Sequence, residues 1–388
     1  MATSRVTCLP RRNIVGIFAK STQHVHCDGY LRVSWHRQAC NQQTNGGTAA
    51  DLRVSRRCLR KESCELKNPF ASIAELQASL VNTDYLASTS LATTLFLGLT
   101  LERPVFLEGA PGVGKTEVAK AMARVLGRDL VRLQCYEGID RQSALYEWNY
   151  GRQLLHIRLA EAAYHSQQVN NTEVAHKDSN ALEHFTEVLE GRLYGPEFLL
   201  ERPLLTAVKP GQPAPVLLID EVDRSDEEFE AYLLELLAEY QVTIPEWGTI
   251  RAEEIPLVVL TSNRTREVHD ALKRRCLYAW VDYPSLEDEC AIVRRKVPQV
   301  DEQLALQACS FVHRLRREPL FKLPGVAETI HWAQALDALS AHALSAQVVE
   351  ATLGCLLKYR DDLEHMTRSI DSESNYVQSM LADVGVRT

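Results

Sequence analysis

The chain has 388 residues, 45% of them apolar, and a formal net charge of -8. That length holds two or three domains with sizeable cores; the apolar runs are strand-length and exclude a bilayer-spanning helix, and nothing reads as a secretory h-region with a cleavage site. Ten cysteines in a chain of this kind point to free thiols in a reducing, cytoplasmic setting.

Charge divides the chain near residue 70. Residues 1–70 carry 12 Lys/Arg against 4 Asp/Glu, a net of +8, and the remainder 31 against 47, a net of -16. The acidic remainder argues against a protein whose main role is coating nucleic acid. Residues 1–70 show neither a period of 2 nor of 3.6 and hold Cys8, Cys27, Cys40, Cys58 and Cys64. They read as a disordered extension, or as the product of a misassigned start, since no Met lies between Met1 and Met122. Three functional readings stand beside that one. A metal site could use His24, His26, Cys27, His36 and Cys40, without any CxxC pair. An organelle transit peptide has Pro10 and the missing amphipathic face against it. The third is a basic arm for nucleic acid.

From Ile73 the chain becomes regular. Ile73, Leu76 and Leu80, then Leu91 to Leu99, predict two helices ahead of a short buried strand, Pro104-Val105-Phe106-Leu107-Glu108. Gly109-Ala110-Pro111-Gly112-Val113-Gly114-Lys115-Thr116 then fits GxxxxGK[ST] at every fixed position, and a helix follows through Val118, Met122 and Val125 to Gly127. In that context glycines let backbone N–H groups close around phosphates, the helix N-terminus adds positive potential, Lys115 reaches the β- and γ-phosphates and Thr116 offers a hydroxyl to Mg2+. The nucleotide-contacting set is Gly109 to Thr116 with Glu117.

A second strand is expected at Leu130 to Cys135, a turn at Tyr136-Glu137-Gly138, and an aromatic stretch over 144–151, either core or a substrate-contacting insertion. A helix through Leu154, Ile157, Leu159 and Ala163 precedes a polar surface loop from Ser166 to Asn180. After the rigid connector at 210–215, Val216-Leu217-Leu218-Ile219-Asp220-Glu221 reads as a buried strand ending in two carboxylates. There Asp220 can hold a metal's water shell and Glu221 can polarise an attacking water. Ser225 and Glu228 form a capping box for a helix burying Phe229, Leu233 and Leu236. A hairpin over 242–250 carries Trp247 at its tip, a partner contact or a side chain folded onto the core. Leu257 to Asn263 is a buried strand ending in an amide. A short helix ending in Lys273, Arg274 and Arg275, a strand to Val281 and a stop at Pro284 complete this part.

Four helices follow, at 286–297, 300–316, 326–339 and 345–360, with no further strand pattern; the polar stretch from Thr367 to Thr388 is expected to fray. The resulting division is an extension at 1–70, an α/β core at 71–284, an all-helical part at 285–366 and a tail at 367–388.

This order of elements resembles the AAA+ ATPases, and within them the MoxR family, most of all its CoxD-like branch. The narrower resemblance rests on Leu107-Glu108-Gly109, on Asp220-Glu221-Val222-Asp223-Arg224, on Gln241 to Pro245, and on Thr261-Ser262-Asn263-Arg264-Thr265-Arg266-Glu267 running to Leu272. It covers about residues 72–365. The resemblance implies an α/β P-loop NTPase core, a parallel sheet sandwiched by helices, with a C-terminal all-α lid, and a hexameric ring with ATP at the subunit interfaces. It implies ATP and Mg2+ held by Lys115, Thr116 and Asp220, water activated by Glu221 and oriented by Asn263, and Arg275 or Arg274 acting in trans as an arginine finger. It also implies a chaperone-like role on a protein client, together with a von Willebrand factor A domain partner, as in metalloenzyme maturation. The alternatives are a nucleic-acid motor and an ATP-binding switch with little turnover. One departure stands out: the start of the third lid helix, where many relatives carry a sensor arginine, reads Gly325-Val326-Ala327-Glu328-Thr329-Ile330, without a cation.

Overall fold

The computed structural model describes residues 68–170, 193–210, 213–367 and 376–383. The readings made of residues 1–67, and of most of the 166–180 loop, lie outside them. At the centre is a sheet of five parallel strands in the order β2 (Leu130–Gln134), β5 (Val216–Asp220), β8 (Leu257–Ser262), β1 (Val105–Gly109), β9 (Leu277–Val281). The middle strands read as unbroken apolar runs because both faces are covered, as a parallel sheet requires. Alternation sorts them: Val216 and Leu218 of β5 face the helices α1 (Ile73–Asn82), α2 (Thr89–Leu101) and α3 (Lys115–Leu126), while Leu217 and Ile219 face the other side.

That other side is built from α4 (Arg141–Ala144), α6 (Pro203–Val208), α7 (Glu227–Glu239) and α8 (Asp270–Arg275), with two added antiparallel ribbons. One pairs β3 (Tyr146–Trp148) with β4 (Leu199–Glu201), the other β6 (Gln241–Ile244) with β7 (Gly248–Arg251). Trp247 folds back onto its own chain while part of it stays exposed. It is 38% exposed, yet its indole N–H donates to the Tyr194 carbonyl at 2.6 Å and its ring meets the edge of Trp148 at 6.0 Å. The two ribbons therefore touch through aromatics.

Three local expectations need correction. Helix α5 (Tyr150–Asn170) continues through residues 166–170, and its inward side is Gln153 rather than Leu154 or Leu159, which are 57% and 61% exposed; the Gln153 amide donates to the Leu193 carbonyl at 2.7 Å. The cap of α7 is Asp226, whose Oδ1 accepts from the Phe229 N–H at 2.8 Å. Ser225 is buried and spends its hydroxyl on the Val222 carbonyl at 2.8 Å, closing the turn before it, so the start of the helix slips by one residue.

The third concerns the C-terminal helices: α9 (Leu286–Lys296), α10 (Glu302–Leu315), α11 (Val326–Ala338), α12 (Ala346–Leu356), α13 (Arg360–Thr367) and α14 (Tyr376–Asp383). The expected helix to residue 360 stops at Leu356, because Leu357 turns extended and is buried. In the stretch expected to fray, α14 places Val377, Met380 and Leu381 in the same core as Trp332 and Phe311. Glu289, fully buried there, takes a two-pronged contact from Arg316 at 2.6 and 2.8 Å and the Thr329 hydroxyl at 2.7 Å. Among the described residues no helix is long and apolar enough to cross a membrane. Leu381→Ala is expected to cost about 2–5 kcal/mol in denaturant unfolding; an unchanged unfolding midpoint would mean that α14 contributes nothing to the fold.

Candidate active site

Strand β1 ends in Gly109, where a Cβ would sit 2.2 Å from the Val281 carbonyl oxygen, so only glycine lets β9 pair to the end of the strand. The loop then turns through Gly112 and Gly114 at φ of +80° and +96°, in the left-handed region that favours glycine. Gly114 caps α3 without a side chain, which leaves the first N–H groups of that helix without a side-chain acceptor and directed at the loop. Lys115 is 5% exposed and donates to the Gly109 and Ala110 carbonyls, both at 2.8 Å. Burial pulls its ammonium down to about 8, against the opposing pull of Asp223, Asp220, Glu221 and Glu108. Glu117, one residue past the Thr116 hydroxyl, is engaged with Lys120 at 3.0 Å and Arg124 at 3.4 Å.

Asp220 is buried at the end of the central strand β5. It accepts from the Thr116 hydroxyl at 3.0 Å, from the Thr261 hydroxyl at 2.6 Å and from Arg132 at 2.6 Å. Glu221 follows in a left-handed conformation, φ 55° and ψ 49°, which swings its carboxylate out of the strand direction. Its N–H donates to the Thr261 oxygen at 2.9 Å, and its side chain accepts from Asn263 at 3.3 Å, from Gln134 at 3.1 Å and from Arg224 at 2.9 Å. Asn263 is itself held by Asp223, which accepts from the N–H groups of Asn263 and Thr265 at 3.2 and 2.8 Å and from the Thr265 hydroxyl at 2.6 Å.

Lys115, Thr116, Asp220, Glu221 and Asn263 all line one cavity of about 780 Å3, within the range of small-ligand sites. Its apolar wall comes from Leu86, Leu91, Ile292, Val326 and Ile330. Glycines at 112 and 325 bring α11 onto the loop: the Val326 N–H donates to the Gly112 carbonyl at 2.9 Å, and a Cβ on Gly325 would lie 2.7 Å from the Gly112 Cα. From the C-terminal helices the cation at the cavity is Lys296, on α9, while the buried Arg316 is committed to Glu289.

The donor set suits a metal that arrives with phosphate. Among the described residues no group of three His, Cys, Asp or Glu side chains could cage an ion alone, and Mg2+ is commonly held by one or two side-chain oxygens plus phosphate and water. Thr116 and Asp220 provide such a pair. Arg274 and Arg275 are not brought to the cavity. They lie exposed at the end of α8, where the Arg103 guanidinium caps both of their backbone carbonyls at 3.0 and 2.9 Å. Lys273, beside them, turns inward towards Glu108 at 3.7 Å.

Sequence reading missed Arg132, Gln134 and the role of Asp223. The alternation of Arg132 and Gln134 along β2 was a visible signal, but which strand they face is a matter of sheet order.

Residues 104–276 match the family described as AAA domain (dynein-related subfamily). With the strand order above, the fold is that of an AAA+ P-loop NTPase, a central parallel sheet flanked by helices and followed by C-terminal helices. At the level of that family the match speaks for ATPase activity. No curated protein matches the sequence. Similar solved structures include the Thermotoga maritima RuvB Holliday junction branch migration motor, at 13% identity and a TM-score of 0.39, covering 80% of this chain and 82% of that one. A point mutant of Thermotoga maritima RuvB stands at 14% and 0.40, covering 81% and 85%.

The lowered titration of Lys115 has a measurable sign. Burial disfavours the ammonium, which is the form that attracts phosphate, so affinity for a triphosphate is expected to fall by about tenfold per pH unit above pH 8. Titration of a fluorescent nucleotide between about pH 7 and pH 9.5 reads this directly; affinity that stays flat would mean that Lys115 keeps its proton like an exposed lysine.

Proposed function

We infer that this chain is a Mg2+-dependent ATPase that remodels or matures a partner protein. The observation that supports it most is the convergence of Lys115, Thr116, Asp220, Glu221 and Asn263, drawn from three separate segments, on one cavity. In this reading the loop from Gly109 to Thr116 binds the phosphates, and Thr116 with Asp220 holds the metal, which when bound neutralises charge on the phosphates. Glu221 takes the proton of the attacking water, and Asn263 keeps that carboxylate oriented. Arg275, or Arg274 beside it, acts on the cavity of a neighbouring copy; their exposure at one end of α8, away from their own cavity, supports a role in trans.

The finer assignment is to the MoxR family and its CoxD-like branch, working in the cytoplasm as a hexameric ring on a protein client, with a von Willebrand factor A domain protein as co-factor protein. It is supported by Asp223, Thr265, Arg266 and His269, residues of the narrower resemblance. Asp223 binds Thr265, while Glu230 takes Arg266 and the His269 N–H, which fixes the segment after Asn263. A switch with little turnover is the second reading, favoured by the absence of a cation from α11 at the cavity.

Purified protein is expected to hydrolyse ATP only with Mg2+, and Lys115→Ala and Glu221→Gln are each expected to lower turnover by about a hundredfold or more. Glu221→Gln should still bind nucleotide. Loss of an arginine finger in related chemistry costs roughly 10^3 to 10^5 in rate, so Arg275→Ala or Arg274→Ala should bind ATP and fail to turn it over. Absence of Mg2+-dependent turnover in the intact protein would leave the switch; turnover that survives both Lys115→Ala and Glu221→Gln would overturn the site.

A further inference from the structure

We propose that Arg132 is a positioning residue for hydrolysis, one that ties the two acids at the end of β5 together through Gln134. The proposal rests on the ATPase reading above and deepens it.

Arg132 and Gln134 are two apart on β2 and so point to the same face, and Gln134 pairs in register with Asp220 of the neighbouring strand. The Arg132 guanidinium donates through Nε and Nη2 to Asp220 Oδ2, at 3.1 and 2.6 Å. The same Nη2 also donates to Gln134 Oε1 at 2.5 Å. Gln134 Nε2 in turn donates to Glu221 Oε2 at 3.1 Å, and Asn263 Nδ2 to Glu221 Oε1 at 3.3 Å.

A carboxamide has one accepting end and one donating end, and a guanidinium can only donate. With Arg132 on the oxygen of Gln134, the end turned towards Glu221 is the NH2, which is what a carboxylate requires. Arg132 thus donates both ways, directly to Asp220 and through Gln134 to Glu221, and links the metal-binding acid to the water-activating acid.

A purely structural ion pair accounts less well for this arrangement. The pair joins a half-exposed guanidinium to a buried carboxylate, 50% and 3% exposed, and so fastens β2 to β5, but fastening alone asks only for a donor beside Asp220. Asp220 already has two hydroxyl donors, Thr116 and Thr261. What Arg132 adds is the second contact of its fork, and that contact leads to Glu221. Lysine could keep the charge beside Asp220, but as a compact point charge it has no planar fork to hold both groups.

Arg132→Ala is expected to lower kcat by about tenfold or more while leaving KM for ATP within about threefold. Arg132→Lys should keep wild-type nucleotide affinity and show the same fall in kcat. In the double variant Arg132→Ala/Gln134→Ala, kcat should match that of Gln134→Ala alone, since the two act in series. A crystal structure of ligand-free Arg132→Ala should show the Gln134 amide beyond hydrogen-bond distance of Glu221. Unchanged kcat, full rescue by lysine, multiplying losses in the double variant, or Gln134 still seated on Glu221 would each overturn the proposal. If the wild-type protein does not hydrolyse ATP, the ATPase reading fails by itself, and the ligand-free variant structure still decides whether Arg132 sets Gln134.

Discussion

The carboxylate of Asp220 is the charge around which this structure is arranged. It sits at the end of the central strand, almost fully out of water, and a buried ionised group persists only where donors surround it. Those donors come from three directions: the hydroxyl at the start of α3, the hydroxyl near the end of β8, and the guanidinium on β2. Satisfying one acid therefore fixes the glycine loop, the strand that delivers Asn263 and the edge strand β2 relative to β5. The cavity's acids and hydroxyls are thereby held in fixed positions relative to one another.

Around this point the protein repeats one device, an acid that holds a loop by its backbone or hydroxyl donors. Asp223 organises the turn that carries Asn263, Glu230 takes Arg266 and the His269 N–H, and Glu289 collects Arg316 and Thr329 among the C-terminal helices. Each is a buried carboxylate whose partners belong to a different element. Acids that look in the sequence like solvated ends of strands and helices thus act as fasteners between elements, and the acidic balance of the chain after residue 70 is partly spent in its interior.

What could be read from the sequence was local. The glycine loop and its lysine, the apolar strands and their terminal acids and amide are each written within a few consecutive residues, and the structure gathers them at one cavity. Contacts set by strand order could not be read that way: Arg132 meets Asp220 only because β2 lies next to β5 across 88 residues of chain. Ser225 looks like a cap in the sequence because a serine that turns inward to close a preceding turn has the same local sequence as one that caps. The end of α12 and the presence of α14 were hidden for a related reason. Burial of Leu357, Val377 and Leu381 against a core assembled from other helices overrides the polar look of the segments around them.

The contact between Gly325 and Gly112 joins the C-terminal helices to the phosphate loop by backbone alone. A coupling through an arginine and a phosphate would weaken with ionic strength, since charges at a site open to solvent are screened. An N–H to carbonyl bond between two neutral peptide groups has no such dependence and nothing in it to titrate. This bond between α11 and the loop is in that sense indifferent to salt and sensitive instead to shape, because a Cβ on Gly325 would lie 2.7 Å from the Gly112 Cα, and one on Gly112, itself at φ +80°, 3.0 Å from the Gly325 Cα.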